Sequence, residues 1–314
     1  MDKLERLAST LKLRQLQYFL AVAENLHFTE AANRLFVTQP TLSHQIAELE
    51  SRIGTPLFDR VGKTVRLTQA GALFRTFASR ALKELEAGCA ALSELEGLAR
   101  GDLRVGVIQS FSRTLLPPIL GSFIRNNPAL HVFVEEMPAN VIEQRLSQGT
   151  LDIGIAFAPG VLEETECEPL LKEQMLVVVG AAHAFAKRRS IEGAELDGQL
   201  MALLSADFTT RRLIDQYLEQ VGARAMVVCD TNSMEVMLGA VTTSNLVTII
   251  PERALGPKSR RNLRVLQLRS PALIRTSALL WPRHSFRTAA ARTFGEMVRK
   301  QFLKVEPLLP KMGK

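Results

Sequence analysis

Apolar residues between Phe28 and Ile53 recur at a spacing that predicts two short helices joined by a tight turn. In the second helix they follow one another at intervals of four, three and four residues, which places them on one face. Those positions are Leu42, Ile46, Leu49 and Ile53. They are expected to pack against apolar residues of two preceding helices, namely Leu16, Phe19, Leu20, Ala23, Ala31, Ala32 and Leu35. Thr38 can cap the second helix, and Pro40 lacks the N–H that the first turn leaves unbonded.

The opposite face of the second helix carries small side chains and uncharged hydrogen-bonding groups. Hydroxyl, amide and imidazole groups near a helix N-terminus can donate to and accept from base edges, which indicates a recognition helix in a DNA major groove. The alternative is a three-helix packing unit with a solvated polar face. The candidate DNA contacts in this region are Thr29, Arg34, Thr38, Gln39, Pro40, Thr41, Ser43, His44, Gln45 and Arg52.

A basic turn follows the second helix and favours the DNA-binding interpretation. Gly62 and Lys63 lie between two short extended runs, so Lys63 is placed at the tip and Arg60 and Arg66 on the arms. A basic β-turn beside a recognition helix is a wing, which suits contacts with phosphates and the minor groove.

Residues 13–70 resemble the winged helix-turn-helix of LysR-type bacterial transcriptional regulators. The resemblance is carried by Ala31-Ala32, Leu35, Thr38-Gln39-Pro40, Leu42-Ser43, Ile46, Leu49-Glu50, Gly54, Leu57-Phe58-Asp59-Arg60 and Leu67-Thr68-Gln69-Ala70-Gly71, and it continues to about Phe302. It implies an N-terminal all-α winged helix-turn-helix, a long linker helix and a C-terminal α/β two-lobed effector domain like a periplasmic binding protein. His44 departs from the pattern, because most members carry a basic residue there and a histidine titrates.

We expect the DNA-binding domain in residues 1–67, the linker in 68–99 and the effector-binding domain in 100–314. Apolar positions along the linker have the 3.5-residue period of a coiled-coil seam. They are Phe74, Ala78, Ala81, Leu85, Gly88, Leu92, Leu95 and Ala99. The alternative is a helix packed within its own chain. A homodimer through the linker suits a palindromic site on double-stranded promoter DNA. The resemblance extends the expectation to a homotetramer and leaves open RNA polymerase as a further partner.

From Leu103 onward, strand-like and helical runs alternate, which predicts an α/β fold with parallel strands. The strand-like runs are Leu103–Ile108, His131–Glu136, Asp152–Phe157, Met175–Gly180, Met201–Leu204, Met226–Asp230, Leu246–Ile250, Leu263–Leu268 and Ser277–Trp281. The helical runs are Leu115–Arg125, Val141–Gln148, Arg211–Val221, Met234–Val241 and Arg287–Phe302.

Three of these strands run into hydroxyl and amide side chains beside the free N–H groups of a helix start. Such strand ends suit a small anion or carboxylate, although plain N-capping is the alternative for each residue. The resemblance implies lobe I in 102–171 and 277–302, lobe II in 172–276, and an inducer in the cleft between them. The candidate cleft residues are Ser110, Phe111, Ser112, Met137, Phe157, Ala158, Asp207, Phe208, Thr209, Asn232, Ser233 and Thr248.

Two segments narrow the resemblance further. Leu151–Pro159 and Leu203–Arg211 look closest to cyanate-responsive members of the family. Cyanate is a small linear anion, which helix N–H groups and hydroxyls can hold, and a carboxylate is the alternative inducer.

The net charge of +7 does not by itself indicate DNA binding, because of where the charge lies. Residues 1–68 hold nine Lys and Arg against seven Asp and Glu, whereas residues 251–314 hold fifteen against three. The DNA-binding prediction therefore rests on motif geometry and the local wing charges.

Other function classes have weaker support. Cys89, Cys167 and Cys229 form no CxxC pair and no metal spacing, and a thiol-based redox switch is the alternative regulator. An enzyme using the cleft would need a nucleophile–base pair or a metal, and neither appears in the sequence. No cofactor is expected. No apolar run has the length of a membrane span, and residues 1–6 lack a signal core, so we expect the cytoplasm and no membrane partner.

Overall fold

The computed structural model describes residues 11–61, 64–95, 101–158, 160, 162–255, 262–283 and 285–304. The chain divides into two compact units, one containing residues 1–98 and the other most of residues 99–314. Within the described ranges, no helix is both long and apolar enough to cross a membrane.

Three helices form the first part of the N-terminal unit. They are α1 (Leu13–Asn25), α2 (Phe28–Arg34) and α3 (Gln39–Ile53). Their buried faces meet in one core, which contains the predicted residues Phe19, Ala31, Ala32, Leu42, Ile46 and Leu49. The Thr38 hydroxyl accepts from the Thr41 N–H at 3.4 Å, Pro40 lies in the first turn, and Gly54 ends α3 at φ +78°. The predicted helix pair and its caps are confirmed.

A hairpin and a long helix complete this unit. Strand β1 (Phe58–Val61) pairs antiparallel with β2 (Thr64–Leu67), and α4 runs from Gln69 to Leu95. One carboxylate oxygen of Glu50 accepts from the backbone N–H groups of Leu57 at 2.7 Å and Phe58 at 3.0 Å. Glu50 lies on α3, so these bonds join the hairpin to that helix.

The start of α4 packs inside the unit. The ring of Phe74 meets that of Phe19 edge-on with centroids 5.1 Å apart, and Ala78 is buried. A helical period identifies an apolar face but not its partner, so the prediction that these two residues begin the coiled-coil seam is wrong. The exposed large apolar side chains of α4 are Leu73, Phe77, Leu85 and Leu92.

The second unit contains two lobes built on β-sheet. The strands are β3 (Gly101–Val107), β4 (Leu130–Glu136), β5 (Ile153–Ala158), β6 (Thr165–Gly180), β7 (Ser190–Glu192), β8 (Leu200–Leu204), β9 (Met226–Thr231), β10 (Val247–Pro251), β11 (Leu263–Arg269) and β12 (Ile274–Pro282). Lobe I has the strand order β4, β3, β5, β12 and β6. Lobe II has the order β9, β8, β10 and β6, with β11 on the other side of β6 and β7 beyond it.

Helices cover these sheets as the strand–helix alternation predicted. They are α5 (Gln109–Ser112), α6 (Leu116–Asn126), α7 (Ala139–Ser147), α8 (Thr209–Gln220), α9 (Met234–Thr243) and α10 (Ala289–Lys304). The pairs β3–β4, β3–β5, β8–β9 and β8–β10 are parallel, which confirms the expected α/β class. Leu103, Phe123 and Trp281 are among the fully buried residues of lobe I, and Val177 and Val247 of lobe II.

One long strand runs from lobe I into lobe II. Strand β6 pairs with β12 over Thr165–Gln174 and then with β10 and β11 over Met175–Gly180. Sequence alone predicted only the second half of β6, because Glu166, Glu168 and Pro169 interrupt the apolar pattern of its first half. Strand β6 therefore changes partners between Gln174 and Met175, whereas residue 172 is where lobe II was expected to begin.

Candidate functional site

The N-terminal half of α3 presents the surface predicted to read DNA. Pro40 and His44 are exposed, and Ser43 is half-buried beside them. The Gln39 amide donates to the Ser43 hydroxyl at 2.9 Å, and the hydroxyls of Thr38 and Thr41 lie 2.8 Å apart. These side chains form one polar patch with an exposed helix start at its centre. Such a patch can form hydrogen bonds with base edges in a major groove.

Other predicted contacts are already engaged within the protein. The Gln15 amide donates to Gln45 at 3.5 Å and to Glu48 at 3.2 Å. Arg52 pairs with Glu48 at 2.5 Å, and this hydrogen bond lowers the pKa of the Glu48 carboxyl. To contact DNA, Gln45 and Arg52 would have to exchange these internal bonds, which would reduce the net gain from each.

The remaining predicted DNA contacts lie on α2 and on the hairpin. Thr29 is exposed near the start of α2, and Arg34 at its end pairs with Glu24 at 2.5 Å. On the wing, Arg66 is exposed on β2 opposite Asp59, and Arg60 lies in β1. Lys63 lies outside the described residues. The structure thus groups the candidates at the start of α3 and places Arg66 on the hairpin that follows that helix.

A small cavity lies between the lobes at the carboxyl ends of β3, β5 and β8. About 20 Å³ of it is open to the centre of a water molecule, which is room for about one water. Five of the predicted cleft residues line it, namely Ser110, Met137, Phe157, Phe208 and Thr209. The other lining residues are not among those predicted from the sequence; they are Ile108, Gln109, Pro138, Ala139, Leu204, Thr210, Met234 and Arg275.

The other predicted cleft residues do not line the cavity. Phe111 is fully buried against Phe302, and Thr248 is fully buried and donates to the Met237 sulfur at 3.3 Å. The Ser233 hydroxyl caps α9 by accepting from the Val236 N–H at 3.3 Å, as the capping alternative foresaw. The remaining four also lie outside the cavity lining. Ser112 bonds Glu136, Asp207 and Asn232 are exposed, and Ala158 is the last residue of β5.

The strongest charge at the cavity belongs to Arg275, near the start of β12. Its Nε donates to the Glu173 carboxylate at 2.7 Å, its Nη2 to the Ser110 hydroxyl at 3.0 Å and its Nη1 to the Thr210 hydroxyl at 3.5 Å. The guanidinium carbon lies 4.0 Å from the centre of the Phe157 ring. The side chains of Arg275 and Glu173 are only 4% and 1% exposed.

Burial acts against the charge on this arginine. It lowers the pKa of Arg275, and the neighbouring Glu173 carboxylate opposes that effect. A guanidinium has five N–H donors, and the three hydrogen bonds leave two without an acceptor among the described residues. The Ser110 and Thr210 hydroxyls come from the starts of α5 and α8, so one side chain contacts both lobes. The site can therefore hold a compact acceptor group, such as a carboxylate or an inorganic anion.

A second polar contact spans the cleft. The side-chain oxygen of Gln109 accepts from the Met234 N–H at 2.9 Å, and its amide nitrogen donates to the Asn232 carbonyl at 3.5 Å. Nearby, the Thr114 hydroxyl donates to the Arg253 carbonyl at 2.9 Å. These contacts hold the start of α5 in lobe I against the start of α9 in lobe II.

A winged helix-turn-helix joined by a long helix to a two-lobed α/β sensor defines a ligand-responsive transcriptional regulator. Residues 13–72 match the model described as "Bacterial regulatory helix-turn-helix protein, lysR family", and residues 96–303 match the "LysR substrate binding domain". The chain therefore belongs to the LysR family of transcriptional regulators, whose members bind promoter DNA.

Individual proteins agree with this assignment. A probable RuBisCO transcriptional regulator from Trieres chinensis is 33% identical over 73% of this chain and 77% of its own. The hydrogen peroxide-inducible genes activator of Haemophilus influenzae is 30% identical over 86% of this chain and 90% of its own. A full-length OxyR variant from Pseudomonas aeruginosa shares the fold, with a TM-score of 0.74, 24% identity and coverage of 96% and 99%. The first two are described as a transcriptional regulator and a genes activator.

Proposed function

We propose that this regulator binds a palindromic promoter site as a dimer or tetramer and is switched by a small anionic inducer in the inter-lobe cleft. The observation that carries the inducer proposal is Arg275. A guanidinium buried in a cleft, with two N–H groups left to donate, offers an anion a charge-assisted hydrogen bond away from water. Thr209 and Thr210 add hydroxyls at the start of α8, where helix N–H groups also favour negative charge.

The small size of the cavity favours a compact inducer. Cyanate, to which the segments Leu151–Pro159 and Leu203–Arg211 point, is a compact linear monoanion, and a short carboxylate is the alternative. Binding would change the balance between lobe arrangements, and the linker helices would pass that change to the DNA-binding heads.

The inducer site is tested by a thermal-shift screen of cyanate, formate, acetate and other small anions. A ligand that binds the folded state raises the melting temperature by mass action. We expect Arg275→Met and Thr209→Ala to reduce that shift while leaving DNA binding intact. Ser112→Ala serves as the matched control, because its hydroxyl bonds Glu136 and does not line the cavity. An unchanged shift in Arg275→Met would refute the site.

The recognition surface is tested with DNA selected by the wild-type protein from a random library. Pro40→Glu combined with His44→Glu places two carboxylates against bases and should abolish specific binding in a gel-shift assay. Asn33→Glu combined with Ser51→Glu adds the same charge at exposed positions farther from the start of α3, and should bind with only modest loss. Equal binding by the two double variants would refute the assignment.

A thiol-based redox switch is the second candidate, favoured by similarity to the hydrogen peroxide-inducible genes activator. Burial raises the pKa of the Cys167 thiol, which leaves less of the reactive thiolate at neutral pH. Cys89 is exposed on α4, and Cys229 is half-buried in β9. Mass spectrometry after mild peroxide treatment decides the matter. The absence of both a disulfide and a sulfenate at all three cysteines would end this alternative.

A further inference from the structure

The charges at the inter-lobe cavity nearly cancel. Arg275 is the only charged residue among the described residues that line it, and its Nε hydrogen bond to Glu173 is 2.7 Å long. The two residues are direct partners in the β6–β12 ladder, so the backbone fixes them beside each other. The cavity therefore adjoins a neutral ion pair rather than a free positive charge.

Glu173 has no route to solvent. Its side chain is 1% exposed, and its second carboxylate oxygen, Oε2, is buried without a hydrogen-bond partner in the described part of the chain. A carboxylate so placed keeps its charge close to any ligand that Arg275 holds. Like charges repel strongly here, because little water screens them.

We propose, on the basis of the anion-binding function proposed above, that Glu173 restricts the cleft to anions with a single negative charge. With a monoanion bound, the site carries one net negative charge, which the N-terminus of α8 partly offsets with roughly half a positive charge. A dianion would leave two net charges in the same buried space. The chemical class selected is a compact monocarboxylate or inorganic monoanion, and doubly charged sulfate or hydrogen phosphate is rejected.

The test compares two anions of nearly equal shape and different charge. Methanesulfonate and sulfate each have five heavy atoms around one sulfur, but carry one and two negative charges. We expect calorimetry to show that the wild-type full chain binds methanesulfonate at least about tenfold more tightly than sulfate, a difference of about 1.4 kcal/mol. Glu173→Gln, which keeps the shape and removes the charge, should reduce that ratio at least about tenfold by strengthening sulfate binding.

The matched control is Glu166→Gln, which removes a carboxylate from an exposed position on the same strand. It should leave the ratio unchanged. Equal affinities in the wild type would overturn the charge selection, and this comparison decides even if Glu173→Gln fails to fold. An unaltered ratio in folded Glu173→Gln would also overturn it. If the charge selection fails but both anions bind and Arg275→Met abolishes their binding, the anion site still stands. If neither anion binds to the wild type or to any variant, the site is overturned as well.

Discussion

The side-chain oxygen of Gln109 lies 2.9 Å from the backbone nitrogen of Met234, across the cleft between the two lobes. Gln109 starts helix α5 in lobe I, and Met234 is the first residue of α9 in lobe II. This bond gives a helix N–H a partner that its own helix does not supply. A wider cleft would lengthen this bond, so the Gln109 side chain opposes separation of the two lobes.

Replacing Gln109 with Ala should therefore favour a wider cleft. We expect the Met234 amide to exchange its hydrogen about five times faster, because a lost hydrogen bond of this kind is worth about 1 kcal/mol. Hydrogen-exchange mass spectrometry over 231–237 measures this. Gln220→Ala, at the exposed end of α8, is the matched control. Unchanged protection of the Met234 amide in the Gln109 variant would show that the bond does not hold the lobes.

The wing depends on one carboxylate. Glu50→Ala removes the acceptor that serves the N–H groups of Leu57 and Phe58, and should lower the free energy of unfolding of the N-terminal unit by about 2 kcal/mol. We also expect weaker operator binding, because the hairpin loses its tie to α3. Calorimetry and gel shifts measure the two effects. Ser51→Ala, an exposed neighbour on the same helix, should change neither.

Sequence predicted most of what local spacing determines. The buried stripe of α3, its cap at Thr38 and the alternation of strands and helices depend on residues a few positions apart. Arg275 and Glu173 were missed because single charged residues are expected at the surface, and 102 positions separate them. The bond between Gln109 and Met234 was missed because 125 positions separate the two residues. Phe74 was assigned to the wrong surface because periodicity does not identify a partner.

Phe36 contradicts the usual expectation that a large apolar residue is buried. It lies in the turn between α2 and α3, is 97% exposed and has φ +54°, where a β-carbon is strained. Phe36→Gly should make the N-terminal unit about 0.5–1 kcal/mol more stable than Phe36→Ala, which keeps the β-carbon. Thermal unfolding of the two variants measures the difference. Equal stability would show that the turn carries no such strain.

The exposed apolar side chains of α4 should hold the dimer. Leu85 and Leu92 are 54% and 65% exposed, and both lie on the predicted seam beyond the part that packs on Phe19. Burying them against a second copy removes apolar surface from water, whereas Leu85→Lys places a charge there. We expect Leu85→Lys to halve the molar mass measured by light scattering. A wild-type dimer would become a monomer of 34.8 kDa, and a wild-type tetramer would become a dimer.

Glu86→Lys is the matched control for this substitution, because it introduces the same side chain at the next position of the same helix, away from the seam. Its assembly should equal that of the wild type, and circular dichroism should show the same helix content in both variants. If Leu85→Lys kept the wild-type mass, the seam would not be the dimer interface. A monomeric but folded Leu85→Lys chain should also bind a half-site with the affinity of one head, since the second head no longer adds its contacts.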